Sequence, residues 1–394
     1  MGGGQAIYLD HAATAPLDAG VAAEMAACLT DPSLQANPSS AHAAGRRAAA
    51  RIARARAEIA ALVNAPAGSI VLTSGATESV NLAILGAARA AGAARRHVVT
   101  ARVEHRAGLD ACRQLEREGF DVTWLRPRPD GTLQPEQVAD ALRPDTALVS
   151  LMHANNETGV MTDVSAIAAL CNPRGIVLHT DAAQSAGKVP LDVEASGVAL
   201  LSFSAHKLGG PKGIGALYVR RRPRPGLQPL VFGGGHEGGL RSGTLAMHQV
   251  VGFGAACTRA IAGLEDEATR QHALRESLWQ SLQAAAPLWR NGTGPALPGI
   301  LNVGFAGIEG ESLLLEVDGD LALSSGSACS SASAEPSYVL RALGRSDLAA
   351  QASVRLSLGR TTTAGDIDRA AALLVRAVGR LRAALPPGAL ERIA

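Results

Sequence analysis

Lysine is rare in this sequence, and Lys207 lies in the setting best suited to chemistry. Of 37 basic residues among 394, three are lysines and 34 are arginines. Arginine stays protonated, whereas a lysine amine can lose its proton and act as a nucleophile in Schiff-base chemistry. Serine and histidine precede Lys207, and glycines and apolar residues follow it. This setting suits a Schiff-base lysine beside a phosphate ligand, whereas Lys212 is predicted to lie in a turn and Lys188 in a loop.

Residues 73–78, Thr-Ser-Gly-Ala-Thr-Glu, are a candidate anion site. They follow a strand-like run and open a helix, so free backbone N–H groups and the helix dipole would face an anion there. Thr77 would add a hydroxyl. Taken alone, the pattern fits an ordinary helix N-cap equally well.

Four polar residues follow other strand-like runs: His105, Asn156, Asp181 and Gln184. A planar heteroaromatic ring bound there would have His105 on its face and the Asp181 carboxylate against a protonated ring nitrogen. Asn156 and Gln184 would supply amide donors at its edge. Each residue alone is typical of a turn, but their joint placement at successive strand ends indicates a binding site.

A second glycine-rich segment is also suited to phosphate. It comprises residues 233–237, Gly-Gly-Gly-His-Glu, and residues 241–244, Arg-Ser-Gly-Thr. Successive backbone N–H groups in such loops form concave anion sites, and Thr244 adds a hydroxyl.

Cys329 is the one cysteine in a run of small, hydroxyl-bearing residues, at 323–333. Free cysteines are usually buried among apolar groups, whereas an accessible thiol that ionises is a nucleophile. An odd number of cysteines with no C-x-x-C pair argues against a disulfide framework and against a zinc site, and no metal is expected. The four cysteines predicted to be packing residues are Cys28, Cys112, Cys171 and Cys257.

Short apolar runs alternate with helical stretches between about residues 68 and 220. This alternation predicts an α/β fold whose mostly parallel sheet is covered by helices on both faces. In such sheets ligands bind beyond the carboxyl ends of the strands, where the candidate residues lie. The strand-like runs are residues 69–73, 97–100, 147–152, 176–179 and 199–203.

A smaller α+β segment is predicted after the parallel sheet. It would contain an amphipathic helix over 256–290, a strand over 300–305 and a last helix from about 364. Thr363 and Asp366 have the spacing of a capping box for that helix. The predicted large domain spans 17–260, and the predicted small domain comprises 1–16 and 261–394.

Composition excludes several classes of protein. With 47% hydrophobic and 18% charged residues the chain is too apolar to be disordered, and a formal net charge of +2 does not suit a nucleic-acid module. No apolar run is long enough for a membrane helix, and the first residues do not resemble a signal peptide. We therefore expect a cytoplasmic protein.

Together these motifs resemble those of the pyridoxal-phosphate cysteine desulfurases of the housekeeping type, within the class V aminotransferases. That family supplies sulfur for iron–sulfur clusters and tRNA thiolation. The resemblance implies the aspartate-aminotransferase-like fold (fold type I) and a homodimer with active sites at the subunit interface. The matching segments are residues 8–10, 37–38, 73–78, 104–105, 152–159, 181–187, 204–207, 233–237, 241–244, 324–333, 335–344 and 355–360.

The resemblance also implies a role for each candidate residue. Lys207 would bind pyridoxal 5′-phosphate through a Schiff base, Asp181 would pair with the pyridine nitrogen, and His105 would stack on the ring and move protons. Cys329 would take the sulfur of L-cysteine as a persulfide. The other implied ligands are Ala76, Thr77, Ser204 and His206 for the phosphate, Thr244 from the other subunit for the same phosphate, Gln184 and Asn156 for the oxygen side of the ring, and Arg355 with Asn156 for the substrate carboxylate.

The sequence departs from the family pattern in two places. Ala205 stands before His206 where the family usually has glycine, a change that should leave Lys207 in place. The chain ends soon after residues 388–392, without the longer tail with which relatives hold the iron–sulfur scaffold protein. The expected partner is thus a protein sulfur acceptor, with docking to that scaffold in doubt.

Three other functions fit parts of the pattern. A selenocysteine lyase could use the same lysine and ring, and an aminotransferase of the same fold would lack a use for the Cys329 segment. A non-catalytic, cofactor-binding adaptor for sulfur transfer would keep the fold without turnover. Turnover of cysteine compared with selenocysteine distinguishes the lyase. Release of pyruvate would indicate the aminotransferase, and bound cofactor without alanine release would indicate the adaptor.

Overall fold

The structure is a computed structural model that describes residues 6–325 and 335–385. Its strands are β1 (Ile7–Tyr8), β2 (Ile70–Thr73), β3 (His97–Ala101), β4 (Asp121–Leu125), β5 (Thr146–Met152), β6 (Val177–Asp181), β7 (Leu200–Ser204), β8 (Gly215–Val219), β9 (Leu288–Arg290), β10 (Ile300–Phe305), β11 (Leu321–Ala322), β12 (Ser324–Ser325) and β13 (Ser353–Ser357). Its helices are α1 (Ala19–Thr30), α2 (Ala43–Ala61), α3 (Ala76–Ala90), α4 (Arg106–Arg117), α5 (Pro135–Ala141), α6 (Val164–Cys171), α7 (Val193–Ser196), α8 (Met247–Ala262), α9 (Leu264–Leu282), α10 (Gly310–Val317), α11 (Tyr338–Ala342), α12 (Asp347–Gln351) and α13 (Ala364–Ala383). Within these ranges no helix is both long and apolar enough to cross a bilayer.

Seven strands form the central sheet in the order β2-β8-β7-β6-β5-β3-β4. The strands from β7 to β4 run parallel to one another, whereas β8 is antiparallel to both β2 and β7. The prediction of a mostly parallel sheet is therefore confirmed. The five predicted strands are present as β2, β3, β5, β6 and β7, and the sequence pattern misses β4 and β8.

Helices cover both faces of the central sheet, as predicted. Val99 and Leu201 belong to one buried cluster with residues of α2, α6 and α8, and Val98 and Leu200 belong to another with residues of α3 and α4. Successive side chains of a strand point to opposite faces, so each central strand contributes to both clusters. Burial on both faces explains why these strands are continuous apolar runs.

A buried histidine connects three strands of the central sheet through side-chain hydrogen bonds. His179 on β6 hydrogen-bonds Ser150 on β5 through Nδ1 (2.8 Å) and Ser202 on β7 through Nε2 (2.9 Å). Burial lowers the pKa of His179 to about 3, so its ring is neutral at physiological pH. The histidine thus fixes the relative positions of the strands whose last residues are Asp181 and Ser204.

A four-stranded antiparallel sheet, in the order β12-β13-β10-β9, lies in the C-terminal part of the chain. Residues of α9, α10 and α13 form one buried cluster with this sheet, and Ile7 and Leu9 belong to the same cluster. β1 also pairs with β11. This grouping supports the predicted domain limits, which remain a proposal.

The single amphipathic helix predicted over 256–290 is wrong. α8 ends at Ala262 and α9 ends at Leu282, with Gly263 between them. The buried residues of α8 include Phe253 in a central-sheet cluster, whereas those of α9 include Leu278 in the cluster of the smaller sheet. The apolar period continues across the break because both helices are amphipathic, so the period alone does not reveal the change of packing partner.

Candidate functional site

A cavity of about 530 Å³ opens at the carboxyl ends of the central strands. β5, β6 and β7 end at Met152, Asp181 and Ser204, and all three residues line it. This is the edge of the sheet where the sequence predicts a ligand. Ten predicted site residues lie around the cavity, namely Ala76, Thr77, His105, Asn156, Asp181, Gln184, Ser204, His206, Lys207 and Arg355.

Lys207 lies in a short 3₁₀ turn, His206–Leu208, that follows β7. Gly209 ends the turn in the left-handed conformation, with φ of 78°. Ala205, the departure from the family pattern, has φ of −72° and ψ of −40°. These are ordinary right-handed values that any L-residue adopts, so alanine there leaves the turn that carries the lysine undistorted.

The start of α3 forms one end of the cavity. Gly75 is the N-cap and supplies no side-chain hydrogen bond to the first turn, so the helix leaves backbone N–H groups available to an anion. Glu78 lies in that turn, where it accepts from the Ser74 N–H (2.7 Å) and pairs with Arg241 (2.9 Å). Arg241 thus neutralises the carboxylate of the first turn, which would otherwise repel an anion at this helix end.

Two residues at the end of β7, the last residue of the strand and one that follows it, complete this end of the cavity. Ser204 Oγ is buried and has no hydrogen-bond partner among the residues that the structure describes. His206 Nδ1 hydrogen-bonds Thr14 Oγ1 at 3.1 Å. Burial, followed by the charges of Lys207, Lys212 and Lys188, lowers the pKa of His206 to about 4. His206 is therefore a neutral polar ligand at physiological pH.

His105 and Asp181 occupy the middle of the cavity. His105 caps α4, and its Nδ1 accepts from the Ala107 N–H at 3.2 Å. Burial lowers the pKa of His105, although Asp181 acts in the opposite direction. A neutral ring whose Nδ1 accepts carries its proton on Nε2. Asp181 Oδ1 accepts from the Ala183 N–H at 2.9 Å, which fixes the orientation of the carboxylate.

Glu104, next to His105 in the chain, is fully buried behind the cavity. Its Oε1 accepts from the Met152 N–H at 2.9 Å. Burial raises the pKa of Glu104 well above its ordinary value, which favours the neutral carboxylic acid. Its side chain supports the end of β5 through the hydrogen bond to Met152.

Arg355 closes the far end of the cavity from strand β13 of the smaller sheet. Its Nη1 donates to the Asn156 carbonyl oxygen (2.8 Å), and its Nη2 donates to Asp10 Oδ1 (2.8 Å) and to Ser324 Oγ (3.2 Å). The residue is 3% exposed. Arg355 Nε and Asn156 Oδ1 are buried and have no partner within the described ranges.

These observations test whether pyridoxal phosphate fits the cavity. A buried polar atom without a partner costs about 1–3 kcal/mol, so the three such atoms on Ser204, Asn156 and Arg355 favour a polar ligand. The α3 N-terminus suits a phosphate, the Asp181 carboxylate suits a protonated ring nitrogen, and Lys207 suits an aldehyde. The residues present therefore fit this cofactor.

Two predicted site residues are not part of the cavity as described. Thr244 is exposed and does not line it, so its role across a subunit interface stays a prediction. Cys329 lies outside the described residues, as do residues 388–392. The described chain stops at Ser325, in β12 beside β13, and resumes at Glu335. Ser324, next to the last residue described before this gap, accepts a hydrogen bond from Arg355.

The other four cysteines are buried, as predicted for packing residues. Burial raises the pKa of both Cys112 and Cys171 to about 12, and raises the pKa of Cys28 and Cys257 as well. Thiols of this kind are not nucleophiles near pH 7.

The sequence does not identify Asp10, Glu157 and Lys188 as residues that hold the site in place. Asp10 pairs with Arg355, Ser337 Oγ donates to the buried Glu157 carboxylate, and Lys188 Nζ donates to Gln184 Oε1 at 3.2 Å. The sequence predicts a loop for Lys188; the structure places it in a turn, where it lines a cavity that Lys207 also lines. The scarcity of lysine could have pointed to Lys188, whereas Asp10 and Glu157 depend on contacts between distant segments.

Comparison with known proteins agrees with this geometry. The family model for Aminotransferase class-V matches residues 7–370. A cysteine desulfurase IscS from Aeromonas hydrophila is 53% identical over 382 residues, which cover 96% of this chain and 94% of that protein. A solved NifS-like protein has a TM-score of 0.87 at 31% identity and covers 96% of this chain and 99% of its own. Another structure, SspA in complex with cysteine, has a TM-score of 0.79 at 38% identity over 89% of this chain and 98% of its own. This chain therefore belongs to the class-V aminotransferase family and, within it, to the cysteine desulfurases of the IscS type.

Proposed function

We propose that this enzyme converts L-cysteine to L-alanine and leaves the sulfur on Cys329 as a persulfide, with pyridoxal 5′-phosphate held by Lys207. The observation that carries the proposal is the convergence of Lys207, Asp181 and three unpartnered buried polar atoms on one cavity. Membership of the cysteine desulfurases supports the reaction. A similar structure in complex with cysteine supports the choice of substrate.

The proposed cofactor site follows from the donors around the cavity. When bound, pyridoxal phosphate supplies an aldehyde that condenses with amines and a ring that withdraws electrons from the bonds of the substrate Cα. The backbone of Ala76 and Thr77 at the α3 N-terminus, with Ser204 and His206, would hold the phosphate. Asp181 would face the ring nitrogen, His105 the ring face, and Gln184 with Asn156 the ring oxygen.

Arg355 and Asn156 would orient the substrate. The planar guanidinium suits a carboxylate, and its Nε still lacks a partner among the described residues. Asp10 and the Asn156 carbonyl hold the other two nitrogens of Arg355. The substrate Cα would then face Lys207, whose uncharged Nζ takes the Cα proton as a general base.

Sulfur transfer would take place between two thiols. The Cys329 thiolate attacks the substrate Sγ, so that an S–S bond forms as the C–S bond breaks. The electron pair of the broken bond stays with carbon, which takes up a proton and leaves as the methyl group of alanine. One cysteine and one enzyme thiol thus become one alanine and one persulfide, and a protein acceptor of iron–sulfur assembly or tRNA thiolation takes the sulfur from there.

The enzyme is also proposed to act as a homodimer in the cytoplasm. Phe232 is 80% exposed and Val231 is 41% exposed, immediately before the glycine-rich segment 233–237. An exposed aromatic residue beside a phosphate-type loop supports an interface there, with Thr244 reaching the partner's cavity. Mixing a Lys207→Ala subunit with a Thr244→Asp subunit tests this arrangement. If the site is shared between subunits, each mixed dimer has one intact site of two, so a random equimolar mixture regains about a quarter of the wild-type activity; a site within one subunit regains none.

The central experiment measures colour and product after reconstitution with pyridoxal phosphate. Wild-type protein is expected to become yellow and to release alanine from cysteine, and Lys207→Arg, which keeps the charge, is expected to do neither. Cys329→Ser should keep the colour and lose alanine release, while the control Cys28→Ser keeps both. Wild-type protein that binds the cofactor without releasing alanine would contradict the proposal, and release of pyruvate would favour an aminotransferase. Faster turnover of selenocysteine would favour a lyase.

A further inference from the structure

Lys188 lies directly behind the wall of the proposed active site. Gln184 lines the main cavity, and Lys188 lines a second cavity of about 330 Å³. Lys207 lines both cavities, so the wall between them contains the proposed Schiff-base residue. Gly187 (φ of 70°) precedes Lys188, and a Cβ there would lie 2.7 Å from Leu208 Cδ2. The turn that carries Lys188 therefore packs closely against the turn that carries Lys207.

The contacts of Gln184 fix which way its amide points. Gln184 is 3% exposed; its Nε2 donates to the Ala12 carbonyl oxygen at 2.9 Å, and its Oε1 accepts from Lys188 Nζ at 3.2 Å. An ammonium group only donates and a carbonyl oxygen only accepts, so both contacts are satisfied in one orientation alone. In that orientation the second N–H of Nε2 is left over for a ligand. Without Lys188, the Ala12 contact alone would hold the side chain.

Lys188 also adds positive charge at this wall. None of its contacts within the described ranges is an ion pair with a carboxylate. Burial, followed by the charges of Lys207 and Arg355, lowers the pKa of Lys188 to about 7. The other titratable groups that feel its charge are His11 and His206, and burial keeps both neutral near pH 7. A buried cation of this kind is stabilised by negative charge on a ligand in the neighbouring cavity.

We propose that Lys188 is a positioning residue that orients the Gln184 amide toward the ring oxygen of the bound cofactor and supplies positive charge behind it. This inference rests on the proposed function, because it takes pyridoxal phosphate as the ligand. Packing of the turn does not by itself require a lysine at position 188, whereas the proposed role does. Lys188 lines the second cavity and not the main one, so it would act through Gln184 and through its charge.

The test compares Lys188→Met with Lys188→Arg, which keeps charge and donors, and with Arg360→Met. Arg360 is another cation that lines the second cavity and does not line the main one, so it is the control. Two quantities are measured for each reconstituted protein: the Kd of pyridoxal phosphate from fluorescence, and the pH at which half of the visible absorbance change has occurred. Neither readout depends on turnover.

Lys188→Met is expected to raise the Kd roughly tenfold, because the amide loses one of the two contacts that orient it and the wall loses a positive charge beside an anionic ligand. It is also expected to raise the absorbance midpoint by roughly one pH unit, because removal of a nearby positive charge makes protonation easier. Lys188→Arg should restore most of both values, and Arg360→Met should leave both unchanged.

A double-mutant cycle with Gln184→Met tests the route of the effect. If Lys188 acts through the amide, Lys188→Met has little further effect on Kd once Gln184 is methionine, and this holds even if one variant is less stable. If Lys188→Met has the wild-type Kd and absorbance midpoint, or if Arg360→Met shifts both equally, the proposed role of Lys188 is wrong, while the proposed function is unaffected. A wild-type protein that develops no visible absorbance would overturn the proposed function itself and, with it, this inference.

Discussion

The two ends of the cavity are built in different ways. At the sheet end, Asp181, Ser204 and Lys207 follow two neighbouring parallel strands and lie within 27 consecutive residues. At the substrate end, Arg355 comes from the antiparallel sheet and takes its partners from positions 10 and 156. The sheet end is therefore fixed by strand order, whereas the substrate end exists only after distant parts of the chain have packed together.

Because strand order fixes the sheet end, we expect an isosteric substitution there to leave the fold intact and to lower the enzyme's activity. Asp181→Asn keeps the size of the side chain but removes the charge that would face the ring nitrogen. We expect kcat/KM for alanine release to fall roughly 100- to 1,000-fold, the range typical of a lost preorganised charge contact, with the thermal midpoint nearly unchanged.

The matched control for this prediction is Asp163→Asn, because Asp163 caps α6 away from the cavity. It is expected to keep full activity. A normal rate for Asp181→Asn, or a fold that no longer unfolds cooperatively, would contradict the assignment of Asp181 to the chemistry.

Glu157 connects the two ends, and it predicts an effect of pH on stability. It follows β5, accepts from Ser337 Oγ, and its backbone oxygen accepts from Asn302 Nδ2 at 3.2 Å. Burial raises the pKa of Glu157 from 4.5 to about 7. The folded protein therefore holds this proton more tightly than the unfolded chain, so the stabilisation is complete below pH 4.5 and is lost as the pH rises toward 7.

The expected size of this effect is roughly 3 kcal/mol in the free energy of unfolding between pH 4.5 and 7. Denaturant unfolding at several pH values measures it, and Glu157→Gln should flatten the dependence by about that amount. Glu104, which is also buried and has a raised pKa, is present in both proteins and so cancels from the comparison. Equal slopes for the two proteins would show that Glu157 is ionised in the folded state.

At the substrate end, Arg355→Lys tests geometry at constant charge. A lysine cannot reach Asp10 and the Asn156 carbonyl while it also presents a planar face to a carboxylate. We expect KM for cysteine to rise roughly 10- to 100-fold, the cost of one or two hydrogen bonds to a charged group, with a smaller change in kcat. Lys188→Arg, measured in parallel, makes the reverse exchange. If KM is unchanged in Arg355→Lys, Arg355 does not bind the substrate.

The contrast between the two ends also explains which parts of the site can be predicted from the sequence. Continuous apolar runs on both sides of Asp181 and Lys207 predict buried parallel strands, and ligands gather at the ends of such strands, so local pattern is sufficient there. The partnership of Asp10 with Arg355 spans 345 positions, and no local pattern encodes it. The sequence predicts only a loop at Lys188; its contact with Gln184, four residues earlier, depends on the conformation of the turn that contains both residues. The sequence does not predict the break at Gly263 for a related reason: two consecutive helices have the same apolar period as one long helix.

The smallest predicted effect concerns residues that do not line the cavity, at the start of α13. Thr363 Oγ1 accepts from the Asp366 N–H at 3.1 Å, and Asp366 Oδ2 accepts from the Thr363 N–H at 3.0 Å, which confirms the predicted capping box. Because α13 contributes Ile367 and Leu374 to the cluster beneath β10 and β13, its first turn supports the substrate end and not the sheet end. Thr363→Ala is expected to cost about 1 kcal/mol of unfolding free energy, while Thr363→Ser keeps the cap and costs less. If Thr363→Ala lowers the affinity for pyridoxal phosphate as much as it lowers stability, the two ends of the cavity are not independent.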